Sequence, residues 1–400
     1  MNRLVNKEFD NLIMPTKILS VDDEMDLELL LTQYFRRKIR KGEYEFFFAH
    51  NGVEALTMML QHKDIDIILS DINMPEMDGL TLLTKINEMQ NPALKCIMVS
   101  AYGDMGNIRQ AMNNGAFDFA TKPIDLDDLS VTIEKAIEQI NYIKQSQQEH
   151  SQLESLKTDL AVAGEIQQAI LPRIFPPFPE FCDTLDLAAS MTPAKDVGGD
   201  FFDFFRIDDD RIGLVMADVS GKGVPAAIFM AVSRTLIRAI GMQGNTPAET
   251  MKCSNNLLCK ESVNCMFVTV FYAIYNVKTG HLCYCNAGHN SPFLTHNDGK
   301  VEMLPMSSNC IIGAIEGLDY TEGTLQLEKG DVLTMYTDGV NEAVNNAFEE
   351  YGDQRLADTL GQMFGKNCQD TIDGLLQSVR TFADGAPQSD DITMLSLKRL

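Results

Sequence analysis

Between Thr16 and Ala120, five short apolar runs (KILSV, YEFFFA, IDIILS, LKCIMVS and AFDFA) alternate with helical patterns such as Met25–Arg40, NGVEALTMML, GLTLLTKINEM and MGNIRQAMNNG. This alternation constrains the fold more than any other feature of the chain. Runs this short and this apolar read as strands buried on both faces, and the segments between them are long enough to return across the sheet as helices. The repeats predict an α/β domain, a five-stranded parallel, doubly wound sheet with helices on both faces. All its strands then end at one edge, where such a sheet binds its ligands.

The residues that fall at that edge are chemically matched. Asp22 and Asp23 follow the first strand, Asp71 the third, Ser100 the fourth and Lys122 the fifth. Carboxylates gathered there repel one another unless a cation sits among them. An ammonium and a hydroxyl beside them suit a phosphoryl group carried on one aspartate, with Mg²⁺ on its other side. A plainer reading is that these acids cap helices, since Asp is common at the turn into a helix. Capping does not explain VDDE, LSDINMPEMDG, VSAYGD and TKP in order at successive strand ends. From about Pro15 to Ile143 the chain resembles the receiver domain of two-component response regulators. The resemblance implies that Asp71 accepts a phosphoryl group from a cognate histidine kinase. It implies that Asp22, Asp23 and Asp71 hold Mg²⁺ with the backbone carbonyl of Asn73, and that Ser100 and Lys122 contact the phosphoryl oxygens. Phe119 falls at the family's switch aromatic, with a plain core phenylalanine as the alternative.

From near Asp125 to Pro172 no strong helix breaker intervenes. Leu129, Ile133, Ala136, Ile140 and Ile143 recur at spacings of four and three, as do Leu153, Leu156, Leu160 and Ala163 beyond the polar KQSQQEHSQ. The pattern predicts a long amphipathic helix with an interrupted coiled-coil seam, hence a homodimer through this helix. A final receiver helix followed by a solvated linker is the alternative. The prolines of LPRIFPPFPEF then stop the helix. The expected organisation is a receiver over 1–125 with its core from about 15, a helical coiled-coil linker over 126–171, and a further domain over 172–400.

Beyond the prolines the pattern changes. GGDFFDFFRIDDDRIGLVMADVS and CMFVTVFYAIYNVKTGHLCYCNAGH read as hairpins, with helices between, as at PAAIFMAVSRTLIRAIG. That density of hairpins predicts an α+β domain with largely antiparallel sheets. Asp200, Asp218, Asp338, Asp390 and Asp391 each stand at the edge of an apolar stretch, beside small or turn-forming residues. One buried carboxylate is costly and several together are prohibitive without counter-charge. Basic side chains are weak candidates for that counter-charge, so divalent cations are expected, and all-oxygen ligands suit Mg²⁺ or Mn²⁺. Two such metals activate a bridging water and orient a phosphate for in-line attack. No CxxxxxR loop, GxSxG elbow, HExxH helix or P-loop offers another mechanism.

From about Glu165 to Leu397 the chain resembles the metal-dependent serine/threonine phosphatases of the protein phosphatase 2C class, in their bacterial sporulation and stress-response branch. The motifs are EIQQAILP, VGGDFFD, ADVSGKG, MFVTVF, NAGHN, GDVLTMYTDGV, YG and DDIT. The resemblance implies two antiparallel sheets flanked by helices. It implies two Mn²⁺ or Mg²⁺ held by Asp200, Asp218, the backbone carbonyl of Val219, Asp338 and Asp390, with Asp391 as the alternative to Asp390. The implied activity is removal of phosphate from phosphoserine or phosphothreonine on a small regulatory protein, such as an anti-sigma-factor antagonist, under control of Asp71. Lys195 is the candidate for binding substrate phosphate, Lys222 stands where the family often has histidine, and His289 reads as a structural turn residue. The rival reading is a receiver joined to a weak phosphatase fold that acts as a protein-binding adaptor.

Composition narrows the partners. The formal charge is -24, from 57 acidic against 33 basic residues, and this argues against nucleic acid. The nine cysteines form no CxxC pair and read as reduced thiols of a cytoplasmic protein. No apolar run approaches the ~20 residues of a membrane span, so no membrane is expected.

Overall fold

The computed structural model describes residues 15–101, 104–175, 177–261 and 265–400. The chain divides into two compact units between Ser155 and Leu156.

In the first unit the elements run β1 (Thr16–Val21), α1 (Met25–Tyr34), α2 (Arg36–Arg40), β2 (Tyr44–Ala49), α3 (Gly52–Gln61), β3 (Ile67–Asp71), α4 (Gly79–Glu88), β4 (Lys95–Ala101), α5 (Met105–Asn113) and β5 (Asp118–Lys122). The sheet is parallel, in the order β2-β1-β3-β4-β5. Strand residues alternate between two cores. Leu19, Val21 and Ile68 pack with Ala55, Leu82 and Ile86, whereas Ile18, Ile67 and Leu69 pack with Leu31, Leu129 and Ile133. Apolar side chains on both faces are what made these strands continuous apolar runs. The helical pattern Met25–Arg40 is two helices, because the chain turns at Phe35 to bury its ring against Tyr44 and Phe46.

Helix α6 (Leu126–Ile170) is unbroken through KQSQQEHSQ, which contains neither Pro nor Gly. The interruption is one of apolar seam and not of helix. Leu129, Ile133, Ala136 and Ile140 are buried in the first unit, while Leu153 and Leu156 are 51% and 60% exposed.

The second unit contains β6 (Leu185–Thr192), β7 (Phe201–Arg206), β8 (Arg211–Val219), α7 (Val224–Gly241), α8 (Pro247–Glu261), β9 (Val268–Asn276), β10 (His281–Ala287), β11 (Phe293–Thr295) and β12 (Val301–Met303). It continues through β13 (Gly323–Gln326), β14 (Val332–Tyr336), α9 (Asp338–Asn341), α10 (Gly352–Gln362), α11 (Cys368–Ala383) and β15 (Ile392–Arg399). Two antiparallel sheets form, β13-β10-β9-β8-β7 and β12-β11-β14-β15-β6. Val215 and Phe271 from the first share one core with Leu333, Leu395 and Leu397 from the second. Helices α7 and α8 pack on the first sheet, and α11 packs on the second. The hairpins read from the sequence are β7–β8 and β9–β10.

By length and composition alone, α7 would pass for a membrane span, contrary to the expectation that no run would. One face of it is packed into the core of the second unit. Phe229, Met230 and Ile237 are buried, and Arg234 and Arg238 on the same helix pair with the buried Asp203 of β7.

Candidate functional site

Sheet register assembles the first unit's site. Val21 is level with Ser70, so Asp22, one residue on, comes beside Asp71 at the end of the neighbouring strand. Ser100 and Lys122 follow from the β4 and β5 registers. Asp22, Asp23 and Asp71 each present an oxygen within 4.8 Å of the others. Asp22 and Asp71 are buried and Asp23 is exposed. Lys122 Nζ lies 2.8 Å from Asp71 Oδ2, 2.9 Å from Asp22 Oδ2 and 3.2 Å from Glu24 Oε1. Burial works against the lysine's charge, but its bonds to Asp71 and Asp22 outweigh burial and raise its pKa. Burial likewise raises Asp22, with Lys122 opposing. The buried Ser100 Oγ has no hydrogen-bond partner among the described residues. Asn73 turns its backbone N–H to Asp71 Oδ1 at 3.4 Å. Phe119 is 36% exposed on β5, so it is not a core phenylalanine. Hard oxygen donors on three sides, with an ammonium and a free hydroxyl beside them, fit Mg²⁺ and a phosphoryl group.

In the second unit the acids come from both sheets. Asp200 immediately precedes β7, and Asp218 is the penultimate residue of β8. Asp338 opens α9 just after β14, and Asp390 and Asp391 precede β15. Asp200 is buried, and its Oδ2 accepts from Thr337 Oγ1 at 2.6 Å and Thr393 Oγ1 at 2.7 Å. Its carboxyl also reaches Asp218. Val219 O lies 2.9 Å from where a Cβ on Gly199 would stand, so that carbonyl faces the same loop.

The two adjacent aspartates behave differently. Asp391 is buried, with Oδ1 accepting from Ala194 N at 2.8 Å and Oδ2 accepting from Gly199 N at 2.7 Å and from Asp200 N at 3.4 Å. Its carboxylate staples the loop that carries Asp200. Only glycine fits around it: a Cβ on Gly198 would stand 2.2 Å from Asp391 Oδ2, and one on Gly339 2.0 Å from Asp391 O. Asp390 instead faces outward, with Oδ2 2.7 Å from Lys222 Nζ.

The charge balance is unfavourable. Asp200 is raised well above the ordinary carboxylate range by burial and by Asp218. Asp218 is pushed up to about 7 by burial, with Asp338 adding repulsion. Asp338 is raised by burial and then by Asp390, and Glu342 by burial and then by Asp338. Mutual repulsion among buried carboxylates at an open edge fits divalent cations. These acids are spread more widely than the first unit's trio, the one group of carboxylates within 4.8 Å among the described residues.

Sequence reasoning discounted basic side chains here, yet Lys222 reaches the cluster, because Gly221 and Gly223 on either side take positive φ values of 91° and 79° and turn the loop back. Lys195 is exposed and has no polar partner among the described residues. His289 is buried, its Nε2–H donating to Tyr336 O at 3.1 Å and its Nδ1 accepting from Thr269 Oγ1 at 2.8 Å. Burial lowers it to about 4, which favours the neutral ring.

Three supporting residues went unread in the sequence. Thr337 and Thr393 hold Asp200, and Gln167 near the end of α6 pairs with Gly198 like a second backbone, donating Nε2 to its carbonyl at 2.6 Å and accepting its N–H at 3.0 Å. Their only signal was that each lies inside a motif already singled out: YTDGV, DDIT and EIQQAILP.

Residues 208–400 match the family model of stage II sporulation protein E (SpoIIE), and residues 18–134 match that of the response regulator receiver domain. Protein IcfG of Synechocystis sp. is 31% identical over 270 residues, covering 61% of this chain and 42% of that protein. The phosphoserine phosphatase RsbU of Bacillus subtilis is 28% identical over 257 residues, covering 63% of this chain and 74% of that protein. The chain therefore spans less than half the length of IcfG. The SiaA-PP2C domain of Pseudomonas aeruginosa superposes with a TM-score of 0.54 at 22% identity, over 62% of this chain and 98% of that one, and shares the fold.

Proposed function

We propose that this chain, which joins a response regulator receiver domain to a phosphatase domain of the SpoIIE family, is a metal-dependent protein phosphatase controlled by phosphorylation of its receiver. The observation that carries the reading is the set of Asp200, Asp218, Asp338 and Asp390 at one edge, where burial and neighbouring carboxylates raise the first three. These four, with the carbonyl of Val219, would hold two Mn²⁺ or Mg²⁺. Bound metals supply an activated water and polarise the phosphate. Asp390 takes the ligand role because Asp391 already accepts three backbone N–H groups. Thr337 and Thr393 fix the orientation of Asp200, and Lys222 offers a cation to an arriving phosphate. Lys195, next to the stapled Ala194, is the second candidate for that task.

The substrate would be phosphoserine or phosphothreonine on a small regulatory protein such as an anti-sigma-factor antagonist, which the likeness to a phosphoserine phosphatase supports. In the receiver, Asp71 would take the phosphoryl group from a histidine kinase, with Mg²⁺ on Asp22, Asp23, Asp71 and the Asn73 carbonyl. Lys122 and Ser100 would meet its oxygens, and the exposed Phe119 would be the switch aromatic. Nine free cysteines fit a reducing cytoplasm. The test is hydrolysis of p-nitrophenyl phosphate, a phosphoserine peptide and a nucleotide. Turnover is expected with Mn²⁺ and lost in EDTA, with the peptide preferred to the nucleotide. Folded protein without turnover under any condition would favour the adaptor reading.

Control would travel along α6. The pairing of Gln167 with Gly198 ties the helix end to the loop stapled by Asp391. Gln167→Ala is expected to lower kcat about tenfold, the effect of losing a supporting partner near a metal site, with little change in melting temperature. The exposed Ile166→Ala is the control, and equal rates for the two variants would remove Gln167 from the path.

The exposed Leu153 and Leu156 would form the seam of a homodimer. Leu153→Asp with Leu156→Asp should convert a dimer to a monomer in light scattering after gel filtration. A wild-type protein already monomeric at high micromolar concentration would refute the seam.

A further inference from the structure

At the far end of β7 from the carboxylate cluster lies a cavity of about 410 Å³ lined by Arg173, Arg206, Arg234 and Arg238, with no carboxylate among the described residues of its lining. Four guanidinium groups around one space are out of keeping with a chain of net charge -24. β7 is the edge strand of its sheet, and the cavity opens there, with Phe178 and Phe204 as apolar walls.

The two inner arginines, Arg234 and Arg238, are not used up by their neighbours. Asp203, buried beneath, serves two of them, 2.7 Å from Arg238 and 3.1 Å from Arg234. A guanidinium carries five N–H donors and one carboxylate cannot satisfy two such groups. The Nε of Arg234 is buried without a hydrogen-bond partner among the described residues, and that side chain is only 12% exposed. Burial acts against the Arg234 charge, Asp203 supports it and the neighbouring Arg238 opposes it, so an added anion there would offset the repulsion between the two arginines. Arg206 meets Glu180 and Asp209 at the rim and donates Nε to Asp208 O at 2.9 Å; the two carboxylates are 44% and 96% exposed, so an anion competes there with solvated partners. Arg173 is turned to the carbonyls of Glu165 and Gln168 at the end of α6.

We propose that this cavity is a second, metal-independent anion site that binds a phosphoryl group through Arg234, Arg238 and Arg206. Planar guanidinium groups suit phosphate because two N–H donors meet two oxygens at once. The site lies the length of β7 from Asp200, roughly 20 Å at the rise of a strand, so it is separate from the proposed reaction centre. It stands whether or not the chain is a phosphatase.

The test uses the full chain in EDTA, where the carboxylate cluster repels phosphate, and the arginine variants assign the binding to the cavity. Titration calorimetry with inorganic phosphate, O-phosphoserine and AMP is expected to show one saturable site, with Kd at or below about 1 mM for the best of them. Arg238→Gln should weaken it at least tenfold. That variant leaves Asp203 with Arg234, and its folding is checked by circular dichroism. Arg206→Gln, at the rim and clear of the buried pair, should weaken it several-fold and serves if the first variant unfolds. Equal affinity for all three ligands identifies the free ion as the occupant, and a tenfold preference for phosphoserine or AMP identifies an organic phosphate. Absence of saturable binding to all three overturns the site. So does binding that both variants leave unchanged, or that chloride at equal ionic strength reproduces.

Discussion

Asp218→Asn is expected to abolish metal-dependent turnover, lowering kcat by at least about a thousandfold, since loss of one metal pair's stabilisation is several kcal/mol and each 1.36 kcal/mol is tenfold. The same substitution should stabilise the metal-free protein. Asp218 is pushed up to about 7 by burial and by Asp338, above its value near 3.8 in the unfolded chain. Between those two values the native state holds a proton that the unfolded state has released, so stability falls as pH rises from about 4 through 7. In EDTA, wild type should therefore melt higher at pH 5 than at pH 7.5, and Mn²⁺ should restore the loss at pH 7.5. The amide of the variant does not titrate, so its pH slope should be shallower, with a gain at pH 7.5 on the order of 1 kcal/mol, a few degrees for a domain of this size. Calorimetry at both pH values, with and without Mn²⁺, checks this. A variant that keeps turnover would remove Asp218 from the metal shell. Lost turnover with an unchanged slope would mean that the cluster is not repulsive when empty.

The neighbours that set this pH dependence differ in how legible they were in the sequence. Asp22, Asp71, Asp200 and Asp218 were legible because each stands at one end of an apolar run, and a carboxylate at the end of a strand lies at the sheet edge. Both sheet types were legible for a related reason. Strands buried on both faces read as continuous apolar runs, and hairpins carry turns such as NVKTG. β11 and β12, three residues each, were too short to leave a period. What stayed hidden was contact across long separations. Asp391 binds Gly199 N across 192 positions, and Thr393 binds Asp200 across 193. Nothing local distinguishes Asp391 the staple from Asp390 beside it. Lys222 was underestimated because its reach depends on loop conformation. The four-arginine cavity gathers residues from 173 to 238 that share no motif. Local pattern sets elements and their ends, while supporting contacts follow from the packing of elements distant in sequence.

Asp71→Asn should end phosphoryl uptake from a small phosphodonor such as acetyl phosphate, bringing incorporated phosphate to background. The substitution keeps the shape of the side chain but removes the nucleophilic carboxylate. Lys122, 2.8 Å from Asp71 Oδ2, stays charged in wild type because its bonds to Asp71 and Asp22 outweigh its burial. Asp22, 2.9 Å away, keeps it anchored in the variant. The remaining hydroxyl of Ser100 and the charge of Lys122 then have no phosphoryl group to bind. Beryllofluoride, which mimics a phosphoryl group on an aspartate, should change the p-nitrophenyl phosphate rate of wild type in the presence of Mg²⁺. It should leave the rate of Asp71→Asn where it was. Phosphate uptake that survives the substitution would place the acceptor elsewhere. Uptake that disappears while beryllofluoride still shifts the rate would mean that beryllofluoride acts at the phosphatase metals. A wild-type rate indifferent to beryllofluoride, with uptake at Asp71 intact, would leave a working receiver and a working phosphatase without the coupling through α6.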